Sequence, residues 1–183
     1  MVGSLRRVFA AVPLPDEIRL ALADELDSLS IPGRVVPPGN WHVTLRFLGK
    51  VDDPTLERFV AALDSAELGD PFRVGLGSLG AFPGSRNATV LWVSLTGDLE
   101  SLEALAATVE DCVVDAGLEA EERPFRPHLT LSRIRPPQDV TGLVGDTTLD
   151  RMRWECRELI VYQSHLGGGP ARYEHLERFA LGR

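Results

Sequence analysis

The sequence predicts an α+β fold built on antiparallel strands, and three observations predict it. Strand-type runs interleave with segments of helical period. Several neighbouring strand runs are joined by connections short enough for hairpins. An alternating strand beginning His-x-Thr occurs once in each half of the chain, at His42 and His128, 86 positions apart. A duplicated, two-lobed domain produces such an echo, and a single domain over residues 1–183 is expected.

The elements follow in order. Residues 5–12, LRRVFAAV, read as an apolar strand. Pro15 suits a first helical position, Asp16 and Glu17 favour the first turn, and Ile18, Leu22, Leu26 and Leu29 follow at helical spacing. Pro32, Gly33, Pro37, Pro38 and Gly39 break the chain before the alternating strand WHVTLRFLG. Asp53 and Pro54 open a second helix with apolar Leu56, Phe59, Val60 and Leu63. Residues 72–79 and 88–95 are two further strands around a loop at Pro83 and Gly84. A third helix, Asp98 to Ala116, buries Leu102, Leu105, Ala106, Val109 and Val113 and stops at Gly117. PFRPHLTLSRIRPP holds a short strand fenced by prolines, and RELIVYQSHLGGGPARYEHLERFAL holds two strands joined by a Gly-rich turn. No lysine followed by Ser or Thr comes after Gly167–Gly169, so that turn is not a phosphate-binding loop of the P-loop kind.

Composition narrows the function classes. A chain of 183 residues, 44% hydrophobic and 25% charged, suits one domain with a sizeable core. No apolar run approaches the roughly 20 residues that span a bilayer. The opening MVGSLRRVFAAVPLPDE has two arginines and a short apolar stretch. Pro13, Pro15, Asp16 and Glu17 follow at once, without a small-residue cleavage site, so a cytoplasmic protein with no membrane partner is expected. Cys112 and Cys156 form no CxxC pattern and read as reduced, partly buried thiols. The net charge of −8 argues against a protein that tracks long nucleic-acid backbones, but permits a small basic pocket for one terminal nucleotide.

The two motifs are His42-Val43-Thr44-Leu45 and His128-Leu129-Thr130-Leu131. Strand side chains alternate faces, so each strand presents an imidazole and a hydroxyl on one face over two apolar residues on the other. With nine threonines in the chain, two such motifs arise by chance roughly once in a thousand sequences of this composition. One motif alone reads as a half-buried strand with a satisfied histidine; the pair points to chemistry. Imidazole titrates near neutrality, so one ring can accept a proton while another donates one. Threonine hydroxyls can donate to the non-bridging oxygens of a phosphate, where charge grows in the transition state. Zinc sites gather three or four His, Cys or carboxylate ligands, and threonine is a poor one, so no metal and no cofactor are expected.

Paired HxTx motifs mark the two-histidine phosphoesterase superfamily, which this sequence resembles. NWHVTLRFLG, RPHLTLSRIR and YQSHLGGGPARYEHLERF resemble its RNA 2′,3′-cyclic phosphodiesterase branch, also called bacterial 2′-5′ RNA ligase-like, over nearly the whole chain including VFAAVPLP. The resemblance implies two pseudo-symmetric lobes of antiparallel sheet plus helices around a central groove, with one motif strand from each lobe. It implies opening of a 2′,3′-cyclic phosphate to a 2′-phosphomonoester without metal. It makes His42 the proton donor to the leaving 3′ oxygen and His128 the proton acceptor from water, with Thr44 and Thr130 holding the phosphate. The residues themselves do not say which histidine is acid and which is base.

Further candidates are weaker. Arg46 faces the His42 side if the strand stays regular, as a phosphate ligand or an exposed strand arginine. Arg133 lies five positions after His128, on the wrong face by strict alternation unless the strand ends before it, and the family the sequence resembles often carries a basic residue there. Phe47 is a candidate for stacking on a base, with a core position as the alternative. His165 and His175 lack a threonine two places on and read as structural or exposed, although the resemblance places His165 near the groove. The expected substrates are RNA termini or cyclic nucleotides, acted on by a monomer. The rival readings are another cyclic phosphate or 2′-5′ linkage, ligation in reverse, and a non-catalytic module that binds RNA ends.

Overall fold

Burial explains why the first strand carries so few polar residues. In the computed structural model, which describes residues 5–182, β1 (Arg6–Pro13) lies inside the sheet. Val8, Ala10 and Val12 face the main core, while Phe9 and Ala11 face the opposite side and pack with Ile160 and Tyr162. A strand covered on both faces reads as a continuous apolar run, and alternation is lost from view.

Three helices cover one face. α1 (Asp16–Asp27) follows Pro15 and buries Ile18, Leu22 and Leu26. It ends before Leu29, which packs partly buried beyond the helix. In α2 (Asp53–Ser65) the Asp52 carboxylate accepts the Thr55 amide at 2.9 Å, and Phe59 and Leu63 are buried. In α3 (Leu99–Asp115) Asp98 accepts the Ser101 amide at 3.0 Å. Gly117 then adopts φ 90° as its N–H bonds the Val114 carbonyl, the left-handed stop that glycine allows.

The strands are β2 (Arg34–Val35), β3 (His42–Val51), β4 (Phe72–Phe82), β5 (Ala88–Gly97), β6 (His128–Gln138), β7 (Arg153–Cys156), β8 (Glu158–His165) and β9 (Arg172–Ala180). Their order is β7-β4-β5-β6-β3-β1-β8-β9, with β2 attached to β6, and every ladder is antiparallel. The two motif strands, β3 and β6, are neighbours at the centre, each flanked by three strands of its own half. This is the expected α+β architecture.

The sequence reading missed β2, β7 and the short helix α4 (Thr141–Asp146). It also made β6 too short. Pro136 and Pro137 lie within that strand, where the pairing with β5 jumps from Arg133 to Gln138, so no ladder bond is asked of either proline. Cys112 and Cys156 are buried and unbridged, and burial pushes the Cys156 thiol up to about 12. Among the described residues no helix is long and apolar enough to cross a membrane.

Candidate active site

The central ladder sets the site. β3 and β6 pair through Val43 and Leu129, so the same antiparallel register sets His42 across from Thr130 and Thr44 across from His128. Val43, Leu45, Leu129 and Leu131 are all buried on the helix side. The two histidines and two threonines therefore share the opposite face, as the period of two requires. The histidines are diagonal neighbours, about 7–8 Å apart at the backbone, which leaves room for a phosphate between the rings.

Both rings are oriented by one device. Nδ1 of His42 donates to the Asn40 carbonyl at 2.8 Å, and Nδ1 of His128 donates to the Arg126 carbonyl at 2.7 Å. A carbonyl can only accept, so each Nδ1 carries the proton and each neutral ring presents an Nε2 lone pair. The Thr44 hydroxyl lies 2.9 Å from Nε2 of His42 and donates to it while that ring is neutral. Asn40 also donates from its side-chain amide to the Ala171 carbonyl at 2.6 Å, fastening the β8–β9 connection beside His42.

The rings differ in their surroundings. His42 packs against Phe9 at 4.8 Å and edge-on to Tyr173 at 5.4 Å between centroids. Burial pushes its pKa down to about 4; the bond to Asn40 opposes this, and the nearby charge of His128 reinforces it. His128 meets Phe82 edge-on at 5.4 Å and Trp92 at 6.1 Å. Trp92 lies flat over Gly80, its cross-strand partner, where a Cβ would come within 2.3 Å of the indole. Glycine there is what lets the indole take this place beside the His128 ring.

Cavities extend to either side of the histidine pair. One of about 790 Å³ runs from His42 past Trp41, Tyr162, Tyr173 and Arg178. The other, about 700 Å³, runs from Thr44 and His128 past Phe47, Phe82 and Phe125. Either volume accommodates a nucleotide-sized ligand.

The remaining candidates divide. Arg133 is on the open face, and the physical reason is a bulge: Leu91 pairs with Ser132 but Trp92 pairs with Thr130, so Leu131 is an extra residue and the alternation shifts. Ser132 and Ile134 are buried while Arg133 is exposed. The expectation that alternation turns Arg133 away is thereby corrected. Its charge, with that of Arg7, acts on the Tyr173 phenol against the upward push of burial, so Arg133 lies within electrostatic range of the ring that packs edge-on to His42. Arg46 has other partners: Nε pairs with Glu110 at 2.5 Å, and the two terminal nitrogens donate to the carbonyls of Phe47 and Glu119. Phe47 is 55% exposed with its ring 5.6 Å from Phe9, so it is not a core residue. His165 pairs with Glu174 at 2.7 Å, and His175 accepts from Arg178 at 3.1 Å. Among the described residues no group of three or more His, Cys, Asp or Glu is gathered as a metal site would require.

Sequence reasoning missed the aromatic surroundings, Phe9, Tyr162 and Tyr173 about His42 and Phe82 and Trp92 about His128. It also missed the two carbonyls that fix the tautomers. No residue type signals a carbonyl, and Phe9 lies in a run that is apolar on both faces.

A family model described as LigT-like phosphoesterase matches residues 12–92. The RNA 2′,3′-cyclic phosphodiesterase of Archaeoglobus fulgidus is 33% identical over 94% of this chain and 99% of its own length. The chain belongs to the LigT-like phosphoesterase family. Within this family, the RNA 2′,3′-cyclic phosphodiesterase of Thermus thermophilus is 32% identical, covering 96% of this chain and 90% of its own. Among solved structures, Escherichia coli LigT complexed with 3′-AMP superposes with a TM-score of 0.82 at 27% identity, covering 98% of this chain and 99% of the other. The LigT-like fold thus extends over the full span of both halves of the sheet.

Proposed function

We propose that this LigT-like phosphoesterase hydrolyses the 2′,3′-cyclic phosphate at RNA ends to a 2′-phosphomonoester, with His42 and His128 as its acid–base pair. One observation carries the reading above all: two imidazoles on the central strands, each held with Nδ1–H on a carbonyl so that Nε2 is the unprotonated nitrogen, with a threonine across from each. The names of the relatives supply the substrate class.

In the proposed step the cyclic phosphate sits between the rings. Nε2 of neutral His128 takes a proton from water as the water oxygen bonds to phosphorus. The bond from phosphorus to the 3′ oxygen breaks, and that oxygen takes the proton of Nε2 on His42. Thr44 and Thr130 donate to the non-bridging oxygens, where negative charge rises. The order of roles is the one the resemblance implies. It asks something of His42, because the protein's own groups hold that ring neutral at neutral pH. An anionic phosphate beside Nε2 favours the imidazolium, so His42 takes up its proton together with the substrate. Arg46 is engaged with Glu110 and two carbonyls, and in this reading it fastens β3 to α3 rather than gripping phosphate. Phe47, exposed at the rim of the second cavity, offers its face to a base.

Two proton carriers and hydrogen-bond donors suffice for a strained cyclic diester, so we expect excess EDTA to leave hydrolysis of a 2′,3′-cyclic nucleotide unchanged. Loss of activity on chelation, restored by zinc or manganese, counts against the metal-free mechanism.

A further inference from the structure

Arg34 and Arg133 face each other directly across the β2–β6 ladder. Both are exposed, and among the described residues no carboxylate pairs with either. Like charges directly opposite on neighbouring strands are destabilising. Arg135, two residues on, is exposed as well, in a chain whose net charge is −8. Arg6, Arg19, Arg46, Arg123, Arg157 and Arg178 each pair with a carboxylate, and Arg34 and Arg133 are among the described arginines that do not.

The fold holds the repelling pair together rather than letting it part. Val36 N–H bonds the Leu131 carbonyl at 2.7 Å, and the fully buried Ser132 hydroxyl donates to the Pro32 carbonyl. Gly33 adopts φ +81°, and a Cβ on it would lie 2.5 Å from the Arg133 carbonyl oxygen. Only glycine permits both that backbone and that approach. A two-residue strand is thus clamped on β6 at the point where Arg34 and Arg133 lie opposite each other.

The position is as specific as the pairing. Arg133 follows Thr130 along the open face, three residues on across the bulge, or about 7–10 Å along the strand. Its charge reaches Tyr173, which packs on His42. The pair therefore flanks the end of the site where His42 and Thr130 face each other. From these observations, and resting on the phosphodiesterase reading above, we infer that Arg34 and Arg133 form a binding site for the internucleotide phosphate on the 5′ side of the RNA's terminal ribose. An anion between two planar guanidinium groups removes their repulsion and accepts charge-assisted hydrogen bonds from both. A cyclic mononucleotide without a 5′ phosphate leaves this site unused, whereas any RNA end fills it.

The test compares adenosine 2′,3′-cyclic phosphate with a dinucleotide ending in the same cyclic phosphate, for the wild type and Arg34→Gln. The wild type should prefer the dinucleotide. Arg34→Gln should lower kcat/KM for the dinucleotide roughly tenfold or more, mainly through KM, and leave the mononucleotide within about twofold. An uncharged methylphosphonate linkage in the dinucleotide should erase the wild-type preference and make the Arg34→Gln effect vanish. Calorimetric binding of the same ligands should show the same pattern whether or not they turn over. The melting temperature of Arg34→Gln at low salt should be unchanged or raised, since a repulsion is removed. Equal loss on both substrates, or full binding of the charged dinucleotide by the variant, overturns the phosphate site. Absence of turnover of the mononucleotide by the wild type overturns the phosphodiesterase reading instead.

Discussion

Replacing either His42 or His128 with alanine should lower turnover of a 2′,3′-cyclic phosphate by roughly 10²–10⁴-fold, the range for a positioned acid or base. Both rings act in one transition state, so the double variant should lose much less than the product of the two single losses. Binding of a cyclic-phosphate ligand should fall far less than turnover, because Thr44 and Thr130 remain. The rate–pH profile should be bell-shaped, each limb flattening when its histidine is removed. Its midpoints belong to the coupled pair rather than to either ring alone. Near-normal turnover in both single variants would reduce these residues to ordinary strand histidines. A wild type that binds the ligand but never opens the ring would be a binding module for RNA ends.

The second large effect is linked to protons. His42 is held down to about 4 by burial, so at neutral pH the protein alone carries it uncharged. If the substrate anion brings the proton in, the pKa is higher in the complex than in the protein alone. The sign follows: the complex binds the extra proton, so affinity strengthens as pH falls from the complex's value toward about 4 and levels off below it. At full linkage the gain is tenfold per pH unit, or about 100-fold between pH 7 and pH 5. A slowly hydrolysed cyclic phosphorothioate, whose charge is constant over this range, suits titration calorimetry in buffers of different ionisation heat. One proton should be taken up near neutrality, and His42→Asn should abolish the uptake. No uptake by the wild type would contradict His42 as the proton donor and reverse the two roles.

What was legible in the sequence was whatever the period of two expresses. His42, Thr44, His128 and Thr130 alternate with buried Val43, Leu45, Leu129 and Leu131, and the structure places all eight as that pattern requires. Helices were legible too, because α1, α2 and α3 each cover one face and leave the other to solvent. Strict alternation gave Arg133 the wrong face because one extra residue at Leu131 shifts the phase, and a bulge has no fixed residue signature. Phe9 was hidden because β1 is covered on both sides. Arg34 was hidden because a two-residue strand is too short to show any period, and only its pairing with Arg133 gives it meaning. The environment of Arg46 depended on α3 and the segment after it, 64 and 73 residues away in the chain.

The central claim is that two histidines open a 2′,3′-cyclic phosphate by breaking the bond to the 3′ oxygen. Phosphorus NMR of a 2′,3′-cyclic nucleotide incubated with the wild type in ¹⁸O-labelled water and chelator tests it directly. The account predicts a single 2′-phosphomonoester carrying one labelled oxygen on phosphorus, and essentially no conversion by His42→Ala or His128→Ala on the same time scale. A 3′-phosphomonoester, an unchanged cyclic phosphate, or the same product from both variants at the wild-type rate would contradict it.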